Sequence, residues 1–114
     1  MENRKHRVAY LTISGRKPVE DFVENKDEKG KAKIDFCFNL LMEKGPGLKR
    51  PYAAYLRDKI WELRPGINTE EYRLLYFWFD KTAVFVHAVD KKDFKQSDID
   101  TAVKRMKMIV KGGI

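Results

Sequence analysis

Arg64, Arg73, Lys91, Lys92 and His87, all in the second half of the chain, are the residues whose types could do chemistry together. Guanidinium and ammonium groups gathered around a phosphate stabilise the charge that builds there during displacement, and removing one such donor typically costs ~10²–10³ in rate. RNA supplies its own nucleophile, the 2′-hydroxyl. Its attack on the adjacent phosphate needs that hydroxyl deprotonated, the phosphorane charge stabilised and the 5′-oxygen protonated, and no metal is required. Histidine is the side chain that changes charge near neutrality, which suits His87 to proton transfer. Lying within an apolar segment, His87 reads first as a hydrogen-bonded core histidine and only second as a catalytic one.

Other catalytic sets are missing. The two histidines, His6 and His87, are far apart, and Cys37 is the single cysteine, so there is neither a zinc signature nor an internal disulfide. Cys37 lies in an apolar helical run with no basic activating pattern beside it, as expected of a small buried hydrophobe. Phosphate-binding and dinucleotide-binding glycine motifs are absent, as is the G-x-S-x-G nucleophile elbow. No cofactor and no metal are expected. Most carboxylates sit among lysines on helices, the usual solvated face, while Asp90 and Asp93 flank the lysine pair and would moderate its charge.

The elements that must position these residues follow from periodicity. His6 to Ile13 reads as a strand, closed by Ser14-Gly15-Arg16-Lys17. Pro18 suits the first turn of a helix, and Val19, Phe22 and Val23 repeat at helical spacing. After a polar turn from Asn25 to Gly30, a second helix spans about Lys31 to Lys44, with Ile34, Cys37, Phe38, Leu41 and Met42 as its apolar stripe. Gly45-Pro46-Gly47 stops it. Leu48 to Leu56 is irregular in pattern. Lys59 to Arg64 and Tyr72 to Phe79 read as strands, and Ala83 to Val89 as a third after the short Asp80-Lys81-Thr82 connection. Ser97 and Asp100 resemble a capping box opening a last helix, whose stripe is Ile99, Ala102, Val103, Met106 and Val110. The expected order is β-α-α-β-β-β-α in one α+β domain over residues 1–114, a helix hairpin covering one face of a small, largely antiparallel sheet.

Short connections make the last three strands an antiparallel meander. Arg64 then ends one strand, Arg73 begins the next, and Lys91 and Lys92 follow the third, so all four fall near one edge of the sheet. The N-terminus of the last helix, near Ser97, should lie close by, where free N–H groups favour an anion. This arrangement predicts a phosphate-sized electropositive site. The alternative is ordinary surface basicity, with Arg64 paired to Glu62 or Glu71. Trp61, Tyr72, Tyr76 and Trp78 could stack on bases, but their place within strands argues first for core packing.

Composition agrees with a small basic domain. The 114 residues carry a formal net charge of +7, with 43% hydrophobic and 36% charged residues, enough for one core and an ionic surface that prefers polyanions. No apolar run approaches a membrane span, and the polar Met1-Glu2-Asn3-Arg4-Lys5 lacks a signal-peptide core, so a cytoplasmic protein is expected.

Ile60-Trp61-Glu62-Leu63-Arg64, Tyr72-Arg73-Leu74-Leu75-Tyr76 and His87-Ala88-Val89-Asp90-Lys91-Lys92 resemble, in order and spacing, the RelE/ParE toxin superfamily, most closely its phage-derived HigB-like branch. The preceding helix hairpin and the Ala102 to Arg105 "A-x-x-R" segment resemble it too. The resemblance implies a compact RelE-like α+β fold and the toxin of a type II toxin–antitoxin pair, a metal-independent endoribonuclease that cleaves mRNA in the ribosomal A site. It implies as partners the ribosome, mRNA and a cognate antitoxin, often of the helix-turn-helix DNA-binding kind, with DNA met only through the antitoxin and no membrane. By motif position Arg73 matches the transition-state arginine, Lys92 the basic residue after the last strand with Lys91 beside it, and Arg64 the strand-end arginine. Two departures stand out. Val89 replaces a phenylalanine, and Asp93-Phe94-Lys95-Gln96-Ser97 replaces a Thr-Gln-Lys-Thr-Pro-like run. No tyrosine lies between Gln96 and Ile99, where many relatives place a catalytic one, which leaves two alternatives: a weak nuclease, or one that uses His87 instead. Two other functions are compatible with the same fold: a ParE-like toxin directed at DNA gyrase, and a non-catalytic phage-derived module that binds RNA or protein.

Overall fold

The computed structural model describes residues 5–66 and 72–112. Its elements are β1 (Arg7–Tyr10), α1 (Pro18–Glu24), α2 (Glu28–Lys44), β2 (Ala53–Arg57), β3 (Ile60–Leu63), β4 (Tyr72–Phe79), β5 (Thr82–Asp90) and α3 (Gln96–Gly112). Single 3₁₀ turns follow α2 and β5. The five strands form one sheet in the order β1-β5-β4-β3-β2. β1 runs parallel to β5, and the other three pairs are antiparallel. The chain thus has the mixed α+β architecture expected, consistent with a RelE-like fold.

Two apolar layers follow from strand alternation. On β4, Leu74 and Tyr76 join Val19 of α1 and Ile34, Cys37, Phe38 and Leu41 of α2 in one core. Leu75 and Phe77, one residue out of phase, join Ala102 and Met106 of α3 in a second core on the opposite face. The central strand is apolar on both faces because helices cover both.

The structure corrects the sequence reading in four places. Ala53–Arg57, expected to be irregular, is an edge strand paired with β3. Its turn to β3, Asp58-Lys59, has positive φ at both residues (52° and 71°), a hairpin geometry usually marked by glycine or asparagine. Lysine in that place hides it. The observed order is therefore β-α-α-β-β-β-β-α. Second, α2 begins at Glu28, one turn earlier than expected, because the Asp27 side chain accepts from the Gly30 N–H as an N-cap. Third, β1 is confined to Arg7–Tyr10, and Ile13 only bridges to Arg16 across its own turn.

The fourth correction concerns α3. Lys95 precedes its first residue, and the Asp98 carboxylate accepts from the Lys95 N–H at 2.7 Å, the returning half of a capping box. Ser97 thus sits inside the first turn and is exposed rather than capping the helix. Asp100, its expected partner, instead pairs with Arg57 and ties the β2–β3 hairpin to the helix. The stripe of α3 also turns slightly: Ile109 packs on the core while Val110 is exposed.

Candidate functional site: a basic cluster at one end of the sheet

β3 and β4 pair through Leu63↔Leu74 and Glu62↔Leu75, so Arg64 and Arg73 come to facing positions one step further along. Alternation puts both, with Glu62, on the α3 face. Glu62 lies diagonally behind the two arginines and bridges them. Its Oε1 is 3.2 Å from Arg73 Nε and its Oε2 is 3.9 Å from Arg64 Nε. Arg73 also donates from Nη1 to the Tyr72 carbonyl at 3.0 Å. Glu62 and Arg73 are buried, at 6% and 5% exposure, whereas the Arg64 side chain keeps 18%. A carboxylate removed from water needs such a partner, and the pair fixes the Arg73 guanidinium in one place. Arg64 does approach Glu62, as the surface-basicity alternative had it, but the tighter partner of Glu62 is Arg73. Glu71, the other partner considered for Arg64, lies outside the described residues.

β5 completes the row. Arg73 pairs with Val89 and Leu75 with His87, but Tyr76 pairs with Phe85, so Val86 is an extra residue in a β-bulge. Phe79 faces Thr82 at the hairpin end, and the bulge shifts the register by one residue before His87, which faces Leu75 within the neighbouring strand. The bulge resets alternation. Val86 and His87 both lie on the α3 face, Ala88 packs in the opposite core, and Val89 returns beside Arg73. His87 Nε2 lies 2.8 Å from Asp98 Oδ1 in the first turn of α3, with 18% of its side chain exposed. In the tautomer with hydrogen on Nε2, that N–H donates to the Asp98 carboxylate and Nδ1 is the acceptor nitrogen. Arg105 of α3 donates to the carbonyl of the bulged Val86 at 2.8 Å, at the point where the ladder is interrupted. The α3 helix is thus fastened to the bulge by two polar contacts, and His87 is a hydrogen-bonded, partly exposed histidine at the cluster's border.

Lys91 and Lys92 follow β5 in the 3₁₀ turn Lys91–Asp93 and are exposed, one strand away from Arg73. Asp90, expected to moderate them, is carried by the bulge to the other face. There it pairs with Lys26 at 3.2 Å, whose ammonium stands over the rings of Phe22 and Tyr72. Ser97 is exposed, and its carbonyl accepts from the Thr101 hydroxyl. The structure therefore gathers Arg64, Arg73 and His87 on one face, with Lys91 and Lys92 at the adjoining strand end and Ser97 in the neighbouring helical turn.

The aromatic residues considered for stacking point away from this face. Tyr72, Tyr76, Trp78 and Trp61 pack on the α1–α2 side, where Tyr76 is 1% exposed. Burial, with the Glu62 charge adding to it, raises the Tyr76 phenol well above its ordinary value. Burial also pushes the Cys37 thiol up to about 11, in keeping with its place as an inert core side chain. Sequence reasoning had Glu62 only as a partner of Arg64 and not as the bridge to Arg73, had Arg105 only as part of a family-like segment with no partner, and missed Asp98. The signal for Glu62 was its phase with Arg64 on the same strand; for Asp98 it was the three-residue spacing from Lys95.

Among the described residues no group of three or more histidine, cysteine or acidic side chains could hold a metal ion. No described helix is long and apolar enough to cross a membrane. No curated protein matches the chain. A family model described as "Phage derived protein Gp49-like (DUF891)" matches residues 21–107, from within α1 nearly to the end of α3 and across all the strands that carry the cluster. That span is most of the chain, and the protein belongs to the phage-derived Gp49-like family.

Proposed function

We propose that this protein is the toxin of a type II toxin–antitoxin pair and that it cleaves ribosome-bound mRNA without a metal, by attack of a 2′-hydroxyl on the adjacent phosphate. The observation that carries the reading is the pair of guanidiniums held by one buried carboxylate, with the His87–Asp98 pair diagonal to them and two exposed lysines at the end of the next strand. Arg73 is fixed by Glu62, and with Arg64 the three groups leave one net positive charge under the site, worth more for being shielded from water. Arg64 and Lys92, nearer the surface, contact the phosphate oxygens as charge builds on the phosphorane. His87 Nδ1 takes the proton from the 2′-hydroxyl, the O2′–P bond forms, and the P–O5′ bond breaks. The Lys92 ammonium protonates the departing 5′-oxygen. The products are a 2′,3′-cyclic phosphate and a 5′-hydroxyl end. A cognate antitoxin with a DNA-binding domain would restrain the toxin, and its place of action is the cytoplasm, where ribosomes are.

Primer extension on cellular mRNA after brief induction tests this. The wild-type chain should produce cuts within translated codons, and the Arg64→Ala/Lys92→Ala double variant should produce none while remaining folded. Growth arrest without cuts would refute the nuclease and favour a gyrase-directed toxin. Neither cuts nor arrest would refute the toxin reading itself.

A further inference from the structure

A second feature lies at the far end of α3. A cleft of about 720 Å³ opens between the last turns of that helix, the Asp58-Lys59 turn and the end of β4. Buried Phe77 and Met106 line it together with Phe79 and Val110, which are 40% and 54% exposed. Lys59, Lys107 and Lys111 also line it. Asp58 is the one acidic residue among the described lining residues, and its carboxylate is 2.7 Å from Arg57 Nη1. The wall is thus apolar and its rim is basic.

We propose that this cleft docks an acidic amphipathic helix of another protein, with its apolar side chains between Phe79 and Val110 and its carboxylates on the three lysines. Charge complementarity selects that occupant. A second copy of this chain, at +7, would bring like charge against the rim. A concave wall takes inserted side chains, in the manner of helix-in-groove recognition, rather than a flat lipid surface. Val110 lies twelve residues beyond Asp98 on the same helix, ~18 Å at 1.5 Å per residue, so a helix docked there leaves the basic cluster uncovered. The inference does not depend on the nuclease reading.

The test uses the full chain, isotope-labelled at its methyl groups, and two synthetic helical peptides of identical leucine pattern. One carries glutamates on its flanks and the other lysines. The acidic peptide should shift the Met106 and Val110 methyl resonances, and Lys107→Glu/Lys111→Glu should weaken it about tenfold, in line with the loss of two rim ion pairs and their reversal. Val110→Glu should weaken binding likewise with unchanged melting, since that side chain is exposed. Equal shifts from both peptides, or shifts elsewhere in the protein, would overturn the proposal. So would binding to anionic phosphatidylserine vesicles with no response to the acidic peptide, which would assign the face to a membrane surface.

Discussion

Replacing Arg73 by alanine should unsettle the fold before it says anything about chemistry. The substitution strands Glu62, 6% exposed, beside a cavity where its nearest cation stood 3.2 Å away. Breaking a buried ion pair by removing one member costs about 3–5 kcal/mol, because the remaining charge is left uncompensated. Arg64, 3.9 Å from the other carboxylate oxygen, offsets part of this and places the expected loss near the lower end, about 3 kcal/mol. For a domain of this size each kcal/mol moves the melting temperature by about 4 °C, so Tm should fall by about 12 °C. Removing both members removes the orphan. The Arg73→Ala/Glu62→Ala variant should therefore be more stable than the sum of the single losses, by about 1–3 kcal/mol of coupling. Thermal and urea unfolding of the four proteins close the cycle. A Tm for Arg73→Ala within about 3 °C of wild type, or strict additivity of the two substitutions, would refute the buried-pair account. It follows that loss of activity in Arg73→Ala has meaning only at a temperature where the variant is shown to be folded.

Two further outcomes are expected. Asp98→Ala removes both the His87 contact and the cap on the Lys95 N–H, and should cost about 2 kcal/mol in urea unfolding; Asp98→Asn, which can keep the cap, should cost less, and equal losses would refute the cap's contribution. Alkali should also weaken the protein. The Cys37 thiol rises from 9.0 to about 11 in the folded chain, so its contribution is whole below pH 9 and is lost as pH climbs through 11, because the unfolded chain gives up that proton first. About two pH units correspond to about 3 kcal/mol, which a Cys37→Val variant should not lose over the same interval; parallel pH profiles for the two proteins would sink the assignment.

The sequence made the helices and the two-faced β4 legible because their periods are clean: Ile34, Cys37, Phe38 and Leu41 are all buried on α2, as their spacing requires. The strand Ala53–Arg57 was not legible. Five residues without alternation, following Leu48 to Tyr52 and entering a turn built on Asp58 and Lys59, carry no local mark of pairing, and only the partner strand supplies it. At the site, strand order and short connections were enough to bring Arg64 and Arg73 to one end of the sheet. Their partner was harder to read, since choosing among Glu62, Glu71 and solvent depends on which face each side chain takes. The β5 bulge was invisible too: nothing in Phe85-Val86-His87 distinguishes a regular strand from one with an extra residue.

That extra residue decides the electrostatics of the cluster. In a regular strand, Val84 and Val86 on the α3 face would send His87 to the opposite face, Ala88 to the α3 side and Asp90 after it. Asp90 would then stand on the face of the arginines and offset part of their positive charge. With the bulge, His87 moves onto the α3 face within reach of Asp98, and Asp90 moves off it to Lys26. One inserted residue thus adds an imidazole to the basic face and removes a carboxylate from it. The Val86 carbonyl at the insertion accepts from Arg105, so the helix that supplies Asp98 also secures the bulge that brings His87 to it. The same helix ends at the apolar cleft. Any partner seated there grips the element that holds His87 in place.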